Sequence, residues 1–178
     1  MKIVKSGLPA ESVLKEDETS FHYVDSYQSD FIDDFGETGI VEVGKAFFSS
    51  APRWTVNLFA FRNRVVRLFG LKTSGKINIK TILENFTCEP GQQIGLFKIY
   101  SRTNNELLLG EDDKHLNFRV SLFIDKEKSF KGRKTITIST TVIFNNWFGR
   151  FYFFPVRPFH QLIVPDMLKG IVKELNSK

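Results

Sequence analysis

Two long stretches of period-two alternation run straight into an aromatic-rich, proline-punctuated segment, and that junction most constrains the fold. Residues 115–124 put Leu116, Phe118, Val120, Leu122 and Ile124 on one side and Asn117, Arg119, Ser121 and Phe123 on the other. Residues 134–144 repeat the pattern, with Ile136, Ile138, Thr140, Val142 and Phe144 against Thr135, Thr137, Ser139 and Thr141. Successive side chains of a strand point to opposite faces, so each stretch reads as a half-buried strand. Strands this long predict a curved antiparallel sheet with one apolar and one wet face. The polar run from Lys126 to Lys134 reads as the turn between them.

The chain after Asn145 is too apolar to stand in water, and the apolar face of the sheet is its natural support. Asn145 or Asn146 can cap a helix beginning near Trp147. Pro155, Pro158 and Pro165 are expected to bend or break it, because each removes a backbone donor and crowds the preceding turn. Beyond Pro158, the positions Phe159, Leu162, Ile163, Met167, Ile171 and Leu175 read as one buried stripe. The bend would mark the mouth of a cavity, with His160 beside it.

Upstream, residues 21–28 alternate Phe21, Tyr23, Asp25 and Tyr27 against His22, Val24 and Ser26 and read as a first strand. A short helix fits 40–49 through Ile40, Val43 and Phe47. A longer one fits 52–69, with Trp54, Leu58, Phe61, Val65 and Leu68 on one face and Gly70 at its end. A further short helix fits 78–85. Residues 94–101 and 105–110 flank Thr103-Asn104 as a hairpin. The first twenty or so residues read as irregular. The length of 178 residues predicts one domain, residues 1–178, with a sizeable core.

Charge is unevenly spread. The net charge is +5, yet residues 11–42 carry ten acids and one base. The remaining body is basic, which raises nucleic acid or an anionic membrane as partners. Nucleic acid is the weaker option. Arg53, Arg62, Arg64, Arg67 and Lys72 are interleaved with Trp54, Phe59, Phe61 and Phe69, but those aromatics fall on the apolar helical stripe and cannot stack on bases. Cys88 is the only cysteine, so intrachain disulfides and cysteine-based zinc sites are excluded. The N-terminus shows no signal-peptide core and no run is long enough to span a bilayer, which sets a cytoplasmic expectation. No nucleophile elbow, phosphate-binding loop or paired-histidine metal motif occurs. Asp112, Asp113 and His115 match no strong metal spacing, and neither metal nor cofactor is expected.

Strand, helices, antiparallel strands, then a long terminal helix is the order of the helix-grip fold, an α+β class. The strings FRNRVVRLFGLK (61–72), DDKHLNFRVSLF (112–123) and GRFYFFPVRPFHQLIVPDMLK (149–169) resemble the bacterial DUF2867 family, placed in the START-like and Bet v 1-like superfamily. The resemblance runs from about Tyr23 to about Leu175. It implies a cavity between sheet and terminal helix that takes an apolar small molecule or lipid.

Three readings follow. A binding module would line its cavity with Trp54, Leu58 and Phe61 from one helix. Phe118, Val120, Ile138 and Val142 would come from the sheet, and Phe159, Ile163 and Met167 from the terminal helix. An enzyme of the cyclase or aromatase kind would need titratable groups that meet inside, and Tyr23, Asp25, Tyr27, Arg119 and His160 are the candidates. If two of them meet inside within hydrogen-bond reach, the enzyme reading stands above the binding module; if all lie outside or are paired away, it fails. Arg119 is expected on the outer face, because five apolar residues claim the inner one, and His160 lacks a visible partner. A peripheral membrane or partner-binding protein would instead expose Phe148, Phe151, Phe153 and Phe154 near Arg150 and Arg157.

Overall fold

The computed structural model describes residues 1–33, 36–50, 83–130 and 132–177, with the backbone alone over 126–130. The expected helix at 52–69 therefore lies outside the described residues, as does nearly all of the one at 78–85. The strands are β1 (Val4–Ser6), β2 (Tyr23–Ile32), β3 (Gln93–Ile94), β4 (Phe97–Arg102), β5 (Glu106–Asp112), β6 (Leu116–Phe130) and β7 (Arg133–Phe144). The helices are α1 (Ile40–Ser49) and the terminal α2 (Trp147–Leu175). The strands form one sheet in the order β1-β2-β7-β6-β5-β4-β3 with every neighbouring pair antiparallel. With α2 laid across it, the architecture is α+β of the helix-grip kind.

The register fixes one inner face. Across β2, β7 and β6, Tyr23 opposes Val142, which opposes Phe118; Asp25, Thr140 and Val120 form the next row, and Tyr27, Ile138 and Leu122 the next. Two residues per pleat repeat keep these rows together. Ile136, Ile138, Leu122 and Ile124 are fully buried there, against Leu168, Ile171 and Val172 of α2 and Val43 and Phe47 of α1. A second, smaller apolar cluster joins Tyr23, Val142 and Phe153, with Phe144 and Val156 packed against it.

Local chemistry explains the ends of α2. The Asn146 side chain accepts a hydrogen bond from the Gly149 amide at 3.1 Å, satisfying one orphan donor of the first turn. Gly149 is required there by close approach, since a Cβ would lie 2.1 Å from the His115 carbonyl oxygen. Gly170 plays the same part against α1, where a Cβ would meet the Ser50 backbone oxygen at 2.8 Å.

Four expectations are corrected. First, α2 runs from Trp147 to Leu175 with Pro155, Pro158 and Pro165 inside it, so none of the three prolines breaks the helix. A proline in a helix interior costs roughly 3 kcal/mol, but the carbonyls it strands can still bond water, and Pro155 and Pro158 lie on the exposed side. Second, the buried stripe of α2 is Phe153, Val164, Leu168, Ile171, Val172 and Leu175, while Phe159 is 48% and Leu162 64% exposed. Third, β6 continues through the expected polar turn to Phe130, and the chain reverses at Gly132, whose φ of 71° suits glycine. Fourth, the face expected to be wet is closed. Ser26, Ser121, Ser139 and Thr141 are almost fully buried, Ser26 bonds Ser139 at 2.8 Å, and Ser121 bonds Glu106. The N-terminal residues are also tied down: β1 pairs with β2, and Ser12 and Val13 bond Glu106.

Candidate functional site

Period-two alternation in β2 sends Tyr23, Asp25 and Tyr27 to the inner face, where α2 crosses. Two helical turns separate Phe153 from His160, so both look down at β2. The Tyr23 hydroxyl donates to Asp25 Oδ2 at 2.6 Å, and His160 Nδ1 lies 3.2 Å from the same oxygen. Asp25 is 3% exposed, and the His160 side chain retains 19% exposure. The Tyr23 ring packs edge-on against Phe153 at 4.8 Å, and the Arg157 guanidinium lies 5.5 Å from its centroid. The Gln161 side chain also reaches the Tyr23 oxygen.

Electrostatics keep both phenols neutral. Burial raises the Tyr23 pKa first, and the hydrogen bond to Asp25 and the charge of that carboxylate push it further. Tyr27, half-buried, is raised by burial and then by Asp25. Tyr23 is therefore a fixed donor, and one carboxyl oxygen of Asp25 is held between a phenol and an imidazole.

The other oxygen is not held by any of the described residues. Asp25 Oδ1 is buried and has no hydrogen-bond partner among them, and neither has the buried Thr140 hydroxyl. The two residues oppose each other directly across β2 and β7. Ser29 Oγ, two inner-face positions beyond Asp25, is a third such atom. Asp25 and Thr140 lie between the row of the smaller apolar cluster (Tyr23, Val142) and the row of the main core (Tyr27, Ile138). They interrupt an otherwise apolar face at the seam between two packed bodies.

Of the candidate lining residues, Val120, Ile138 and Val142 are buried on this face, and Phe118 and Met167 pack partly buried against it. Ile163 is half-buried, and Phe159 points to solvent. Trp54, Leu58 and Phe61 lie outside the described residues. Arg119 sits on the outer face, bonded to Asp112 at 2.8 Å and stacked 3.7 Å from the Tyr100 centroid. That ion pair, followed by the Tyr100 hydrogen bond, outweighs burial and holds the Asp112 carboxyl below its usual range. His115 is occupied by Asn146 at 3.1 Å and by Phe148. Among the described residues no three ligating side chains converge for a metal. Two open depressions among the described residues lie elsewhere: about 360 Å³ against Met1, Lys169 and Lys173, and about 250 Å³ beside Val13 and Phe123.

Sequence reasoning named Tyr23, Asp25 and His160 in one set of groups that could meet inside, but missed Thr140 as a site residue, although a lone hydroxyl in the apolar row of β7 was its signal. The partner that orients His160 becomes visible only when α2 is phased on Val164 and Ile171. The model of one protein family, described as a protein of unknown function (DUF2867), matches residues 19–167. No curated protein and no solved structure matches the chain.

Proposed function

The chain belongs to the DUF2867 family, whose description assigns no activity, and we propose that it binds an apolar small molecule or lipid with one hydrogen-bond donor at the seam between β2 and α2. The observation that carries this reading is a pair of buried oxygens on directly facing residues, Asp25 Oδ1 and Thr140 Oγ1, neither of which has a hydrogen-bond partner among the described residues. An unsatisfied buried polar group costs about 1–3 kcal/mol. A hydroxyl or ammonium group would relieve both oxygens at once, and the apolar remainder would lie against Val142, Ile138 and Val120. A carboxylate head would meet Asp25 with the wrong sign. Because the seam is closed over the described residues, entry needs a local separation of α2 from β2 near His160. The helix-grip arrangement, resembling START-like proteins, supports this reading as an analogy of fold alone.

A second reading uses the same site, and the meeting of Tyr23, Asp25 and His160 within hydrogen-bond reach is the condition that sets it above simple binding. Asp25 engages His160 through Nδ1, which leaves Nε2 as a base oriented by a buried carboxyl, and the neutral Tyr23 hydroxyl holds that carboxyl in place from the other side. General acid–base chemistry needs that pairing, and it favours a cyclase-like proton transfer on the bound molecule. Binding is common to both readings, so binding is tested first. Calorimetric titration with dodecylamine, dodecanol and dodecanoate should show heat for the amine and the alcohol and none for the acid, and Asp25→Asn should weaken the amine most. Equal binding of the acid, or no binding of any of the three, contradicts the proposal.

A further inference from the structure

Helix α2 carries a second apolar stripe, on the side away from the sheet. Trp147, Phe151, Phe154 and Leu162 are 75%, 69%, 81% and 64% exposed, and their spacing, with the exposed Pro158 between the last two, puts them on one face. The expected patch is thereby revised: Phe153 is buried, and Phe148 packs on His115. A contiguous run of large apolar side chains in water marks an interaction surface.

We infer that this face docks on an anionic lipid surface, with α2 lying in the plane of the interface. Three observations fix the occupant. From Trp147 to Pro165 the helix holds Arg150 and Arg157 and no carboxylate, so the flank of the stripe is positive only. Further along, Asp166 is bonded to Lys169 at 3.0 Å, and Lys173 adds another exposed cation. Both arginines are exposed, on the sheet-facing side of the stripe, with the Arg150 guanidinium 5.8 Å from the Phe144 centroid and that of Arg157 5.5 Å from the Tyr23 centroid, so a negative headgroup would meet them at the edge of the stripe. Next, the stripe is led by a tryptophan, whose amphipathic ring favours the headgroup level. Finally, Pro155 and Pro158 leave the Phe151 and Phe154 carbonyls without their helical donors. Water or headgroups at an interface can satisfy those carbonyls, whereas the hydrocarbon interior cannot. No helix among the described residues is long and apolar enough to cross a membrane, which agrees with a shallow seat. Asp25 and His160 lie on the opposite side of α2, and Arg157, beside the Tyr23 ring, is shared between the two surfaces.

The test is co-sedimentation with vesicles of phosphatidylcholine alone and of phosphatidylcholine with about 30% phosphatidylserine. The expected result is binding to the anionic vesicles only, weakened by salt. Arg150→Glu with Arg157→Glu should cut the affinity at least twentyfold, given about fivefold per basic residue near such a surface. Phe151→Ser with Phe154→Ser should abolish binding while circular dichroism and the melting temperature stay unchanged. The Trp147→Phe variant should lose a blue shift of fluorescence seen on binding. Absence of sedimentation with either vesicle overturns the inference, and so does equal binding to both. A dimer in analytical ultracentrifugation that Phe151→Ser with Phe154→Ser dissolves, without vesicle binding, overturns it in favour of a second copy of the chain.

Discussion

Glu106 is the polar residue on which the outer face depends, and removing it has a calculable cost. It opens β5 yet is 3% exposed. One carboxyl oxygen accepts the Ser12 hydroxyl at 2.5 Å and the Ser121 hydroxyl, and the other accepts the Val13 amide at 2.9 Å. Ser12 and Ser121 are themselves 3% and 0% exposed. In Glu106→Ala both hydroxyls lose their acceptor in a dry site, at about 1–3 kcal/mol each. The Val13 amide sits nearer water and adds little. Some relaxation of the serine rotamers lowers the sum, so the expected loss is about 2–4 kcal/mol. Glu106→Gln keeps an acceptor and should lose about half as much. Urea unfolding followed by circular dichroism measures the difference, and hydrogen exchange at Val13 and Leu14 should accelerate in step as the N-terminal segment is released. A loss below about 1 kcal/mol with unchanged exchange at Val13 would refute the idea that this carboxyl group clasps the segment to the sheet.

Two further outcomes are expected. Asp33 is buried against Lys134, which also donates to the Thr38 carbonyl at 3.1 Å, and Thr38 in turn donates its amide to Asp33. Burial raises the Asp33 pKa, but the bonds from Lys134 and Thr38 outweigh it and hold it below the usual range. A depressed folded pKa stabilises above the unfolded value of about 3.9 and is lost as pH falls through the folded one. The wild type should therefore lose more stability between pH 6 and pH 3 than Asp33→Asn, and equal losses in urea titrations at the two pH values would contradict this. Cys88 is 0% exposed, and burial, opposed only weakly by Arg102 and Lys45, pushes its thiol up to about 11. A thiol reagent at pH 8 should label it only as fast as the chain opens, so labelling at the rate of a free thiol would show that its packing against α1 is wrong.

What the sequence disclosed follows from where a single period dominates. In β6 and β7 the alternation is strict and aliphatic, so both strands and their inner face are legible. In α2 apolar residues occupy two helical faces, and periodicity alone does not say which is buried. Phasing on Phe159 and Leu162 therefore selected the exposed face in part. The outer face failed for a different reason: serine and threonine look solvated in sequence, yet Ser26, Ser139 and Ser121 bury each other and Glu106 through hydrogen bonds between strands distant in the chain. The site was half legible. Tyr23 and Asp25 follow from the alternation of β2. The meeting of Asp25 with His160 depends on a contact 135 positions away that no local pattern encodes.

The central claim is that the paired oxygens of Asp25 and Thr140 await a ligand's donor. Native mass spectrometry of the protein isolated from its own host tests it most directly, beside Thr140→Val. That variant replaces an unpartnered buried hydroxyl by a methyl group of the same shape, so the ligand-free protein should become slightly more stable. The expected result is a retained small-molecule adduct on the wild type, much reduced occupancy on Thr140→Val, and a melting temperature for the stripped variant no lower than that of the stripped wild type. A wild type without any adduct, or equal occupancy on both proteins, would contradict it.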